Sequence, residues 1–186
     1  ELGWELYLAN DAARALPLYD ALLEAGAVPV GIETYANSRR LEKSFRLQGA
    51  DLETEYNAFE AAIARPQVKA APFFGREAYL AQRVQDPAAL LCTFTLDTLR
   101  VGEGPTRFPV GISPILDAES REGLVDARGR HSYTTGSSYA PSLEKHVVMA
   151  YLPRERARVG AKFLLEYFDE GGDGQYPITL KIAGRG

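Results

Sequence analysis

The sequence predicts an α+β fold: an α/β portion over residues 1–84, then an all-β portion over residues 85–186 built as a barrel or a sandwich. Three observations carry this. The first portion has helical periodicity bounded by capping residues; the second has about six short apolar runs separated by Gly, Pro and Asp, with no helical run among them. The 186 residues, 46% hydrophobic and 25% charged, are enough to bury one good core or two small ones.

In the first portion, "GWELYL" alternates bulky and polar positions, which predicts a strand of about six residues with Glu5 between Trp4 and Leu6. Asn10 and Asp11 are N-cap types, and the stretch to Glu24 sets Leu16, Leu22 and Leu23 toward one side. Gly26 fits a left-handed C-cap. Pro17 removes a helical hydrogen bond, so the regular helix is expected to start near it. A second helix is predicted over about 31–45, "GIETYANSRRLEKSF", then an extended segment "RLQGADL" leading into a turn. A Pro- and Ala-rich connection from Val68 to Pro72 precedes a short helix in "FFGREAYLAQRVQ".

Strands are predicted in "LLCTFTLD", "PVGISPILD", "GLVDARG", "HVVMAYL", "AKFLLEYF" and "YPITLKI". "TTGSSY", residues 134–139, reads as a polar loop between strands, and "DEGGDG", residues 169–174, as a hairpin turn.

Composition excludes several functions. A net charge of -4 without a basic run argues against nucleic-acid binding. No apolar stretch approaches the roughly 20 residues of a membrane span. Cys92 is the only cysteine, which rules out an internal disulfide and a cysteine zinc site; it reads as a buried structural thiol in a reducing compartment. His131 and His146 lack spaced ligand partners and read as core or surface histidines, so no metal site is predicted. "GEGP" and "GGDG" do not link a strand to a helix and are not phosphate loops. On composition alone, Glu5 is either a solvated strand residue or a carboxylate placed in a pocket.

The order of motifs resembles a family. "ELGWELY", "LYDALLEAG", "GIETYANSRRLEKSFRLQGADL", "NAFEAAI", "FFGREA" and "TTGSSYAPSLEKHVVMAYLP" together resemble the folate-binding region of the aminomethyltransferase superfamily, the glycine-cleavage T-protein fold, in its branch linked to dimethylglycine and sarcosine dehydrogenase. The resemblance implies a T-protein-like α/β lobe over 1–84 and a C-terminal antiparallel β-barrel over 85–186. It also implies a tetrahydrofolate cofactor and a methylamine-type donor, with transfer of a one-carbon unit between them. Glu5 would be the acid that contacts the pterin ring, and Tyr35 a pocket-wall residue. The family's catalytic Asp matches no residue here, so no catalytic residue is assigned. A chain starting at Glu1 without Met is expected to be a piece of a longer one, partnered by an upstream domain that would hold FAD in an amine-oxidising enzyme. A cytoplasmic location is expected, or the mitochondrial matrix in a eukaryote. A non-catalytic module of the same fold, or another folate-dependent methyltransferase or demethylase, are the alternatives.

The pattern also departs from the family's. T-proteins of the glycine system carry Ala-Arg-Asp where this chain has Tyr35-Ala36-Asn37. The family's Asn-Pro-Leu-Glu-Ala-Gly-Leu is "NAFEAAI" here, losing the Pro and the Gly, so local backbone differences are expected; the loop's Ser-Gly is inverted to Gly136-Ser137. Arg40, Glu42 and Lys43 match and read as helix-surface and interdomain ion pairs.

Overall fold

The computed structural model describes residues 3–10, 12–65, 67–96, 109, 111–169 and 172–184. They divide into two compact units, residues 1–32 and 33–186.

In the first unit the helix α1 spans Ala12–Glu24 and runs through Pro17, so it begins earlier than Pro17 predicts. Its end is a Schellman motif. Gly26, at φ 95°, donates to Leu23 O at 2.9 Å, and Ala27 donates to Leu22 O at 2.9 Å. The predicted strand at "GWELYL" does not form a ladder among the described residues; the segment has no regular secondary structure and is exposed.

The second unit is built on one six-stranded sheet. Its strands are β1 Ala89–Leu96, β2 Ile115–Asp117, β3 Thr134–Ala140, β4 Lys145–Pro153, β5 Lys162–Asp169 and β6 Gly172–Ala183. The order is β2-β5-β6-β1-β4-β3, and every neighbouring pair is antiparallel. The sheet curls, and backbone bonds join the segment before β2 to the start of β3: Ile112 N donates to Thr134 O at 2.6 Å and Thr134 N to Ser113 O at 2.9 Å. "GLVDARG" contributes only isolated bridges, Leu116–Gly123 and Val125–His131, so it is a turn-rich connection instead of a strand. "TTGSSY" is strand β3, not a loop. Its hydroxyls and glycine hide its β character, because the ladder with β4 supplies the order that its side chains do not advertise. The β5 and β6 register runs to Asp169 opposite Gly172; part of "DEGGDG", and all of "GEGP", lie outside the described residues.

The runs β1 and β4 are nearly all apolar because both of their faces are covered. On one face Cys92, Phe94, Val148, Ala150 and Leu152 join Phe163, Leu165, Ile178 and Leu180 in the larger core. On the other, Leu91, Val147, Met149 and Tyr151 pack with Leu41 and Ala61 in a second core. That second face is covered by residues 34–62. A π-helical turn, Thr34–Arg39, leads directly into the short helix α2, Arg40–Glu42. The predicted helix over 31–45 is therefore shorter and partly π. It too ends in a Schellman motif, with Ser44 at φ 55°, Ser44 N to Leu41 O at 3.0 Å and Phe45 N to Arg40 O at 2.9 Å. The third helix, α3, is Arg76–Arg83, as expected.

"NAFEAAI" forms a single capped turn. Asn57 Oδ1 accepts from Glu60 N at 3.0 Å, while Glu60 Oε2 accepts from Asn57 N at 3.0 Å, the reciprocal pairing of a capping box. The turn closes as a further Schellman motif: Ala62 N donates to Phe59 O at 3.1 Å and Ile63 N to Ala58 O at 3.0 Å. Ala62 sits at φ 54°, so the left-handed geometry is kept at the position where the family pattern has Gly. A Cβ there costs about 1–2 kcal/mol, partly offset by the about 0.5–1 kcal/mol of chain entropy that glycine would lose on folding. Ala62→Gly is therefore expected to stabilise the protein by about 0.5–1 kcal/mol, read as a rise in the urea midpoint at constant slope; a lower midpoint would show that the left-handed turn carries no strain.

Candidate functional site

The sequence places its binding residues on two segments. In the first unit Glu5 is exposed, and the Tyr7 hydroxyl donates to its Oε2. That hydrogen bond holds the Tyr7 proton above its ordinary range. Trp4 is 90% exposed, and Leu6, Tyr7 and Leu8 are exposed as well, so one carboxylate stands within an uncovered apolar strip. An ionised carboxylate only accepts hydrogen bonds, with about four lone-pair sites, and the Tyr7 bond leaves most of them for a ligand with paired N–H donors.

In the second unit Tyr35 is 65% exposed on the π-helical turn. Beside it Asn37 Nδ2 donates to Glu33 Oε2 at 2.7 Å. Ser38, on the same turn, is buried and donates from Oγ to Tyr139 O on β3 at 2.8 Å. Arg39 Nη1 and the Ser142 backbone N–H both reach Glu42, at 3.0 and 2.8 Å. The Ser142 N–H above all, with Arg39 adding to it, holds the Glu42 carboxyl below its usual range.

Two buried ion-pair clusters fix the frame behind this surface. Arg40, only 9% exposed, is not a surface cation as its spacing suggested. Its Nε donates to Ala36 O at 2.6 Å and its Nη1 to Phe45 O at 3.1 Å and to Asp51. Asp51 also accepts from Leu47 N at 2.9 Å and from Thr135 Oγ1 on β3. In the second cluster Arg130 Nη2 lies 2.5 Å from Glu60 Oε1 and 2.7 Å from Asp126 Oδ2. Burial disfavours the Arg130 cation, but the hydrogen bonds and charges of Glu60 and Asp126 outweigh it and raise its pKa. Burial likewise opposes ionisation of Asp126, yet the N–H groups of Arg130 and Arg128 and the Arg130 guanidinium keep its carboxyl below the usual range. The Arg130 guanidinium stacks 4.2 Å from the Tyr56 ring, which in turn lies 3.5 Å from Tyr151 and parallel to it.

No group of three or more His, Cys, Asp and Glu positioned to hold a metal occurs among the described residues. Burial pushes the Cys92 thiol up to about 12, as expected of a structural cysteine. His146 is buried against Tyr139, at 5.4 Å between rings, and burial lowers its pKa to about 4; it stays neutral near pH 7 as a core residue. No helix is long and apolar enough to cross a membrane among the described residues. Neither ion-pair cluster was visible in the sequence, since Arg130 stands 70 positions from Glu60. The Asn57 to Glu60 spacing of a capping box was the one available signal.

The family model of the GCVT N-terminal domain matches residues 1–67. The aminomethyltransferase of Acidobacterium capsulatum is 29% identical over 174 residues, 89% of this chain and 41% of that protein. The mitochondrial dimethylglycine dehydrogenase of Homo sapiens is 32% identical over 186 residues, 97% of this chain and 19% of that protein. The crystal structure of the glycine cleavage system aminomethyltransferase T from Bartonella henselae has a TM-score of 0.69 at 21% identity, over 91% of this chain and 43% of that one, so the fold is shared. The chain thus spans less than half the length of each of these proteins.

Two outcomes follow from the buried charges and the buried imidazole. Arg130→Met leaves the Glu60 and Asp126 carboxylates buried without their cation and is expected to cost about 3–5 kcal/mol in denaturant unfolding; a loss under about 1 kcal/mol would show that water replaces the guanidinium. For His146 the folded pKa of about 4 lies below the unfolded value of about 6.5, so between those pH values the unfolded chain binds the extra proton. Its contribution is lost as pH falls through that window, by at most about 1.4 kcal/mol per pH unit. His146→Gln should flatten the stability profile there, and NMR titration of the wild-type imidazole near 6.5 would refute the assignment.

Proposed function

Because the chain belongs to the aminomethyltransferase superfamily, with similarity to both T-protein and dimethylglycine dehydrogenase, we propose that it is the folate-binding part of a one-carbon transferase of the dimethylglycine or sarcosine dehydrogenase type. The observation that carries this proposal is the match to dimethylglycine dehydrogenase along 97% of the chain, together with an exposed acid at the position that the family's pterin motif requires.

Glu5 would hold the pterin. Adjacent N–H donors on the pterin edge suit a carboxylate, which accepts two of them in parallel with charge-assisted strength. The donor from Tyr7 orients the carboxylate. Trp4 and Leu6 supply exposed apolar surface for the flat ring. In the second unit, Tyr35 would be a further folate contact. Bound tetrahydrofolate supplies the nitrogens that receive the one-carbon unit. Glu5 binds and orients it, and the group that moves the proton is assigned to no residue of this chain. The donor would be a methylamine-type substrate, and FAD would belong to an amine-oxidising domain outside these residues.

The same reading gives the full protein's architecture: residues 1–84 as part of the folate-binding lobe and residues 85–186 as a closed barrel. The bonds between Ile112, Ser113 and Thr134 support closure, since they tie the segment leading into the outer strand β2 to the start of the other outer strand, β3. The mitochondrial name of the human relative supports the mitochondrial alternative for a eukaryotic chain; the matrix within it, and the cytoplasm otherwise, are part of the same proposal.

In the full-length protein, Glu5→Gln is expected to weaken tetrahydrofolate binding by about 1.5–3 kcal/mol, the range for a hydrogen bond to a charged group. Isothermal titration with an unchanged isotherm would remove Glu5 from the pterin site.

A further inference from the structure

We propose that Arg40 is a positioning residue for the Tyr35 surface: it holds Thr34–Arg39 in the π-helical form that presents Tyr35 and the Asn37–Glu33 pair to a ligand. The ligand named is folate, which rests on the assignment of Tyr35 made above.

The turn is anchored from behind by side-chain bonds. In an α-helix the Arg40 backbone N–H would bond to the Ala36 carbonyl. Here that N–H goes to Asn37 O, and the Ala36 carbonyl receives the Arg40 side chain instead, Nε at 2.6 Å. The guanidinium can do this only because it is itself fixed. Its Nη1 is held by Phe45 O and Asp51, and Asp51 is tied to the Leu47 backbone and to Thr135 on β3. Strand β3 meets it at Gly136, where a Cβ would stand 2.7 Å from Arg40 Nη2. On the far side Ser38 is pinned to Tyr139 O. A turn pinned at Ala36, Ser38 and Arg40 is held against return to α geometry, which would rotate Tyr35 relative to those anchors by about 100°, one residue's step. Single π-turns within helices recur at functional sites for this reason: they redirect a few side chains without moving the element.

The lysine variant isolates this role. Arg40→Lys keeps a cation for Asp51 but loses the donor to Ala36 O. In the full chain its 15N amide resonances at Thr34–Ser38 are expected to shift, and tetrahydrofolate affinity to fall about tenfold, the size of one lost hydrogen bond. Tyr35→Ala should lower affinity similarly, and the double variant should lose no more than either single one. Gly136→Ala, which presses on the guanidinium from another strand, should move the same amides with Arg40 present, and it decides the matter if Arg40→Lys does not fold. Phe94→Leu, in the core on the opposite face of the sheet, serves as the control and should leave those amides in place. Unchanged amides in both Arg40→Lys and Gly136→Ala would overturn the positioning role. If the amides move while Tyr35→Ala binds folate like the wild type, the anchor stands and the pocket assignment of Tyr35 fails instead.

Discussion

The buried pairing of Arg40 with Asp51 is the interaction on which the second unit's arrangement depends. It joins four pieces of chain: the π-helical turn through Ala36 O, the loop after α2 through Phe45 O and Leu47 N, β3 through Thr135, and β4 through Tyr151, whose hydroxyl donates to Asp51 O at 2.7 Å. A buried ion pair offers little net stability over a well-packed apolar one, because desolvation consumes most of the attraction. Its value here is geometric. The charges and their directed donors give residues 34–52 fixed bonding partners on β3 and β4, in addition to the apolar contact among Leu41, Val147 and Met149.

The Glu60, Arg130 and Asp126 cluster does the same for the next stretch of chain. Glu60 caps its own turn through Asn57 N and binds the guanidinium with its other oxygen, while its carbonyl accepts from Leu91 N at the start of β1. One residue, through its side chain and its carbonyl, therefore links a capped turn, the connection after β2 and a central strand. Stacking of Arg130 on Tyr56, and of Tyr56 on Tyr151, extends the linkage to β4 and to the neighbourhood of Asp51. Burial raises the pKa of both tyrosine hydroxyls, and the carboxylates nearby reinforce it, so the stacked pair stays neutral through the physiological range.

Much of the β portion was legible because a strand's apolar residues are written into its own sequence. β1, β4, β5 and β6 were readable as runs of Leu, Ile, Val and Phe between turn residues, and α1 and α3 as periodic segments. The misses share one cause. "GWELYL" alternates like a strand but pairs with nothing among the described residues, while "TTGSSY" lacks aliphatic residues yet forms most of a strand. Hydrogen-bonding partners settle both cases, and partners lie elsewhere in the chain. "NAFEAAI" shows the reverse. Its missing glycine predicted a changed backbone, but the surrounding bonds hold Ala62 at the left-handed angle anyway. Of the candidate site, Glu5 and Tyr35 could be named from motif order, whereas the buried arginines behind Tyr35 could not.

The sequence by itself determined most of the helices, the apolar strands and the resemblance to the family, because capping residues, apolar periodicity and motif order are local or linear properties. The tertiary structure alone decided that Arg40 is interior, that Gly136 stands where a Cβ would press on its guanidinium, and that residues 34–39 take a π-helical turn. Each of these depends on groups far apart in the chain meeting at hydrogen-bond distance, and a linear pattern carries no record of which distant donor will find which acceptor.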